Sequence, residues 1–272
     1  MTPITVASLH IHPIKSLGGF ATNAARITDR GFAHDRRWML TDPHGRFLSQ
    51  RELPAMACLH CAPRTNGFRV TDVRDGAALD LPWTIEGGNE LDGHVWDDTV
   101  AVLPAPTTWS RWFHDRLGVV CQLVHMPERT RRTVDPRYGQ DLTALGDAFP
   151  YLLISHASLD DMNARMPEAL PMDRFRPNIV ISGGEAFQED SWKQLHIGDV
   201  RFTVVKPCAR CVITTTDQFT GARGKEPLRT LATYRKRTAS SDASQVDFGM
   251  YAVALGSGTV HVGDDVRPVT HI

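Results

Sequence analysis

Turn-forming residues interrupt this chain at short intervals, and that punctuation limits its fold more than any other feature. Between the interruptions stand short runs of β-branched and aromatic residues, the pattern of a β-rich protein. Residues 4–14 open with such a run. Trp38–Thr41 and residues 47–49 flank Asp42-Pro43-His44-Gly45, where proline presets φ and glycine admits a positive φ. Further strands are expected at residues 67–71, 78–81, 99–103 and 119–126. One helix stands out among them. Trp109, Trp112, Phe113 and Leu117 recur at helical spacing, which places them on one packing face. Thr107 or Thr108 is positioned to cap this helix and Gly118 to end it.

The second half mixes both patterns. Strands are expected at residues 151–155, 178–182, 200–205, 212–216, 251–255, 260–262 and 266–269. Helices are expected at 158–166, with Ser158 and Asp161 spaced as a capping box, and at 228–235 after Pro227. Between the halves lies a polar connector or lid, residues 127–140, whose Arg129, Arg131, Arg132 and Arg137 read as a solvated face, with contact to an anionic ligand as the competing reading. The fold class that follows is α+β and β-rich. A β-barrel-like domain at residues 1–124 precedes a second barrel-like domain with peripheral helices at residues 125–272.

Composition narrows the function. The formal net charge of −1 gives no support to nucleic-acid binding. No apolar run is long enough for a membrane helix, so no membrane partner is expected. The start, Met-Thr-Pro-Ile-Thr-Val, lacks the order of a secretory signal, and a cytoplasmic location is the expectation. Five cysteines, an odd number, fit free thiols or ligands in a reducing compartment.

Four of those cysteines form two Cys-x-x-Cys pairs, Cys58/Cys61 and Cys208/Cys211. Paired zinc motifs ordinarily stand about 15–20 residues apart, whereas these lie in different halves of the chain, so a joint zinc site is not expected. A thioredoxin-like role is not expected either, because Cys208–Cys211 sits between two strand-like runs. Cys211 has the more chemical setting. Its neighbour Arg210 favours thiolate over thiol, and a thiolate is a soft metal ligand. Pro207 stiffens the entrance. A buried structural cysteine is the competing reading of the same spacing.

The segment Lys206-Pro207-Cys208-Ala209-Arg210-Cys211-Val212-Ile213-Thr214-Thr215-Thr216-Asp217, with Thr220-Gly221 and Lys225-Glu226-Pro227-Leu228 after it, resembles the signature of MOSC-domain proteins. Phe175-Arg176-Pro177-Asn178, Asp190-Ser191-Trp192 and Ile197-Gly198-Asp199-Val200 are similar to further blocks of that family. His12-Pro13-Ile14-Lys15-Ser16 and Asp35-Arg36-Arg37-Trp38 resemble the N-terminal β-barrel domain that accompanies it. The family includes amidoxime-reducing enzymes, bacterial reductases of N-hydroxylated compounds and the C-terminal domain of molybdenum cofactor sulfurases.

The resemblance implies a molybdenum cofactor, a pyranopterin (molybdopterin) whose dithiolene gives the metal two sulfurs, with Cys211 as the protein's ligand. By the same matching, Lys15, Ser16, Arg36, Asp147, Ser155, Arg176, Asn178 and Arg210 fall where the family holds its cofactor. Guanidinium groups suit the phosphate of such a group, because they pair with oxyanions through two hydrogen bonds. Pro177 is expected to keep Arg176 extended. The implied activity is reduction of a small N-hydroxylated or N-oxide substrate: hydroxylamines, amidoximes or hydroxylated base analogues. No cysteine follows Cys211, so a plant-type iron–sulfur centre is not expected. Electrons are expected from a separate ferredoxin- or flavodoxin-type donor. His12 and His156 are candidate proton donors. The alternative implied role is cofactor carriage or sulfur transfer.

Overall fold

The computed structural model describes residues 3–237 and 244–269. Its centre is an eight-stranded sheet with the order Val266–Pro268, Gln194–Ile197, Val200–Ala209, Asp247–Leu255, Tyr151–Ser155, Ile179–Ser182, Thr5–Ile11 and Phe20–Thr22. Neighbours are antiparallel except Tyr151–Ser155 and Ile179–Ser182, which run parallel. Parallel strands need a crossover, which here carries the helix His156–Asn163. All five residues of Tyr151–Ser155 are buried, as expected of a strand covered on both faces. The period of two divides them: Tyr151 and Leu153 pack into one core, Leu152 and Ile154 into another under the helix.

The first half contributes smaller sheets. Trp38–Thr41, Gln122–His125, Asp98–Pro104 and Leu91–Val95 form one, and Leu59–Arg64, Gly67–Asp72 and Ala78–Pro82 another. The expected helix spans Thr107–Leu117 and stops at Gly118 in the left-handed conformation. Phe113 is fully buried in the core beneath it, with Trp109, Trp112 and Leu117 packed alongside. No side chain caps its start: Pro106 precedes it, and neither threonine acts as the cap. The architecture is α+β and β-rich, with a barrel-like first half and helices peripheral to the second. The sheets cross the expected division of the chain, since Thr5–Ile11 pairs with Ile179–Ser182 and Ala24–Thr28 pairs with Gly258–His261.

Three local expectations are corrected. Residues 212–216 are not a strand; Val212–Thr215 is a 3-10 helix. The Thr214 and Thr215 hydroxyls donate to the carbonyls of Cys211 and Val212, the local side-chain bonding that draws threonine runs into turns. The helix expected from Ser158 starts earlier, and Ser155 is its cap, accepting from the Ser158 amide. The arginine-rich connector is not wholly solvated. Arg132 is buried, donating to the carbonyls of Ala144 and Gly146 and to Asp98.

Candidate functional site

The strand Val200–Ala209 delivers the second cysteine pair. Its pairing with Asp247–Leu255 slips between Val204 and Lys206 and again between Pro207 and Ala209. Such bulges re-aim side chains at the ends of sheets. Beyond the second slip the chain leaves the sheet, and Cys211 stands half-buried on the wall of a pocket whose empty space is about 740 Å³ with its open mouth included. Lys15, Ser16, Arg36, Asp147, Arg176, Asn178, Arg210 and Cys211 all line this pocket. Ser155 does not; it is occupied at the start of its helix, where it also donates to Glu189.

Each wall residue is held by its own element. Lys15 follows a turn whose backbone is tied to Trp38, and its ammonium reaches Asp147 at 2.5 Å. Burial pushes Lys15 down to about 8 despite that carboxylate. Burial opposes the charge on Asp147 too, but Lys15 and Arg51 outweigh it and hold the carboxyl far below its usual range. Arg36 donates to Asp35 at 2.5 Å, to the Asn178 side-chain oxygen at 3.0 Å and to the Arg176 carbonyl at 3.1 Å. Asn178 is buried. Its amide also receives the Leu152 N–H and donates to the His10 carbonyl, so it braces Arg36 across three strands. Arg210 is committed to the protein, donating to Cys208 Sγ at 2.9 Å and to the Phe175 carbonyl at 2.8 Å.

Arg176 is different. It ends the short 3-10 helix Met172–Phe175 in the left-handed conformation, with φ 55° and ψ 47°. This corrects the extended backbone expected from Pro177. The Arg176 amide donates to the Asp173 carbonyl, and that closing turn overrides the proline's preference. Ser16 and Arg36 also have positive φ, at 67° and 47°. Three strained non-glycine residues on one pocket wall are the kind of local strain that clusters at ligand sites. Among the described residues, the Arg176 side chain donates no hydrogen bond to a protein acceptor. Burial, and then the Arg36 cation, push its pKa down to about 9. A guanidinium remains protonated even so; the shift reflects lost hydration first and the Arg36 cation second, and a bound anion would offset both.

The expectations from sequence missed Arg51, Phe149 and Tyr251, which line the same pocket. Arg51 donates to Asp147 at 2.8 Å, and among the described residues its buried Nη1 meets no hydrogen-bond acceptor. The wall therefore carries five cations, Lys15, Arg36, Arg51, Arg176 and Arg210, against one carboxylate, Asp147. An oxyanion such as a pterin phosphate fits that excess, and the half-buried sulfur of Cys211 fits a soft metal. Neither histidine named above is on this wall. His156 is exposed at the start of its helix. His12 is buried in an adjoining cavity that shares Arg176, and burial holds its pKa well below the usual value. The other pair is closed off. Cys58 and Cys61 are both buried, and burial raises both thiols, Cys61 to about 12.

Comparison with known proteins gives the family of the chain. The mitochondrial amidoxime-reducing component 1 of Mus musculus is 34% identical over 96% of this chain and 81% of its own length. Component 2 of Rattus norvegicus is 35% identical, and component 1 of Homo sapiens 33%, each over 96% of this chain and 82% of its own. A molybdenum cofactor sulfurase of Arabidopsis thaliana is 31% identical over 84% of this chain but only 31% of its own length. The cytoplasmic location expected from the opening residues is corrected by these names, since the amidoxime-reducing relatives are called mitochondrial. Targeting addresses are read by receptors separately from the fold, so the fold and the core composition carry no trace of them. Residues 3–120 match the MOSC N-terminal beta barrel domain and residues 140–267 the MOSC domain. This chain belongs to the MOSC family, in the two-part form shared with the amidoxime-reducing components, and that membership implies association with a molybdenum cofactor.

Proposed function

We propose that the protein is a molybdenum-cofactor oxidoreductase that reduces N-hydroxylated or N-oxide compounds. Amidoximes, hydroxylamines and hydroxylated base analogues are its substrate class. The observation that carries this reading is the excess of positive charge lining the pocket with Cys211, above all the Arg176 guanidinium, which has no acceptor among the described residues. When bound, the cofactor supplies the two-electron chemistry that the side chains themselves lack. The overall change takes R–NHOH, two electrons and two protons to R–NH2 and water.

The residues of this chain have separable tasks. Cys211 provides the protein's sulfur to the metal. Arg176, Arg36 and Lys15 bind the anionic end of the cofactor, and Asn178 keeps Arg36 aimed. Asp147 holds Lys15 and Arg51 in place and offsets the burial that disfavours the Lys15 charge. Arg210 fixes Cys208 and the turn at Phe175, so it shapes the wall that carries Cys211. Electrons come from a separate donor protein of ferredoxin or flavodoxin type. The similarity to a cofactor sulfurase supports a second reading, cofactor carriage or sulfur transfer.

Natively expressed protein, assayed for metal and then for amidoxime reduction with a chemical electron donor, separates the two. Stoichiometric molybdenum with turnover is expected. Molybdenum without turnover on any N-hydroxylated substrate favours the carrier, and absence of molybdenum overturns both.

A further inference from the structure

The strands Leu91–Val95 and Asp98–Pro104 pair with Val95 opposite Asp98, which leaves Trp96-Asp97 as a two-residue hairpin loop. Trp96 has φ 56° while Asp97 is not in the positive region. Two-residue loops of that pattern ordinarily carry glycine at the first position, where a side chain meets its own backbone. A bulky residue there is a genuine outlier. Trp96 is also half exposed, at 50%. A residue selected for stability would sit at neither a strained nor a wet position. Holding an indole at both points to use of its surface.

The contacts of Trp96 say where that surface is. The Arg51 guanidinium lies over the indole, 4.6 Å from the ring centroid, and the Phe47 ring meets it edge-on at 5.1 Å. Arg51 pairs with Asp147, Asp147 pairs with Lys15, and the Lys15 ammonium stands 4.8 Å over Phe47. The five side chains thus close a ring, four of them polar or packed, with Trp96 the exposed aromatic. Arg51 lines the pocket wall together with Cys211. One guanidinium therefore connects the indole to the pocket that contains the sulfur.

We propose that Trp96 is a specificity-determining residue beside the Arg51 side of the pocket, stacking the planar, conjugated arm of an N-hydroxylated amidine or heterocycle. This rests on the substrate class proposed above. A flat arm gains contact with the indole, whereas a methyl group in its place gains little. The preference therefore concerns the arm, not the N–O group being reduced.

Benzamidoxime and acetamidoxime test this, because they share the reacting group and differ only in phenyl against methyl. Binding of each to the oxidised, molybdenum-loaded protein is measured by calorimetry without reductant, for the wild type, Trp96→Gly and Trp96→Phe. Melting temperature and molybdenum content are read on the same samples. Wild type should favour benzamidoxime. Trp96→Gly should lower that preference about fivefold, within the range of aromatic pair energies, and Trp96→Phe should restore most of it. Metal content should not change, and melting should hold, because glycine suits the turn. Equal preference in wild type and Trp96→Gly overturns the inference while leaving the reductase reading intact. A preference lost only in step with melting or metal content also overturns it, since the role of Trp96 is then structural. Failure of wild type to bind either compound, and to reduce either once a reductant is added, overturns the proposed substrate class and this inference with it.

Discussion

The two Cys-x-x-Cys pairs have the same spacing and different surroundings. Cys58 ends a short 3-10 helix and Cys61 lies on the strand after it, both inside the first half of the molecule. Apolar neighbours raise both thiols and leave them unreactive. Cys208 is buried like them, with its sulfur under Arg210. Cys211 lies past the bulged end of its strand, on a wall with five cations. Spacing alone does not make a ligand; position relative to the sheet edge and to fixed charge does.

The largest effect that would break this contrast is on Cys211. Cys211→Ser should lose at least about two orders of magnitude in amidoxime reduction, more than the 10–100-fold typical of losing a supporting partner. Cys61→Ser should stay within a few-fold of wild type. Equal losses in the two variants would erase the distinction.

Arg176→Lys probes the basic lining of the pocket that holds the sulfur. Both side chains are cations and meet the same backbone strain at φ 55°, so melting of the apo-protein should stay nearly constant. Lysine cannot make the paired contact to an oxyanion. Loss of a charge-assisted bond worth about 1.5–3 kcal/mol should weaken cofactor retention roughly ten- to a hundredfold. A sharp fall in melting with normal retention would make Arg176 structural.

A smaller effect sharpens the electrostatic account. The Lys15 pKa is lowered to about 8 in the folded protein, so its charged form is disfavoured by folding. Between about pH 8 and the unfolded value near 10.4, the unfolded chain binds the extra proton. Stability from this group therefore rises with pH across that window. Retention of an anionic cofactor should move the other way, falling a few-fold as Lys15 loses its charge. Melting and molybdenum content measured from pH 7 to pH 9.5 should diverge. Parallel trends would mean that Lys15 does not face the anion.

The strands and the aromatic helix were legible because their signals are periodic. Residues 151–155 and Trp109, Trp112, Phe113 and Leu117 declare their buried faces by spacing. The basic wall was legible only through motif resemblance, since Lys15, Arg36 and Arg176 lie far apart in the chain and nothing local unites them. Arg51 and Trp96 escaped for a related reason: each is a single residue in a loop, placed by tertiary contacts with Asp147 and Phe47. The threonine run after Cys211 was misleading, because β-branching favours strands while the hydroxyls favour the turn that forms. Arg132 shows the same limit, as a charged residue in a polar stretch that folds into the interior.

If Cys211 supplies the protein's sulfur to the metal, X-ray absorption at the molybdenum edge counts that sulfur directly. Wild type should show three sulfur neighbours, two from the dithiolene and one from Cys211. Cys211→Ser should show two, and Cys208→Ser should keep three. Three sulfurs persisting in Cys211→Ser, or a loss of one in Cys208→Ser, would contradict the assignment.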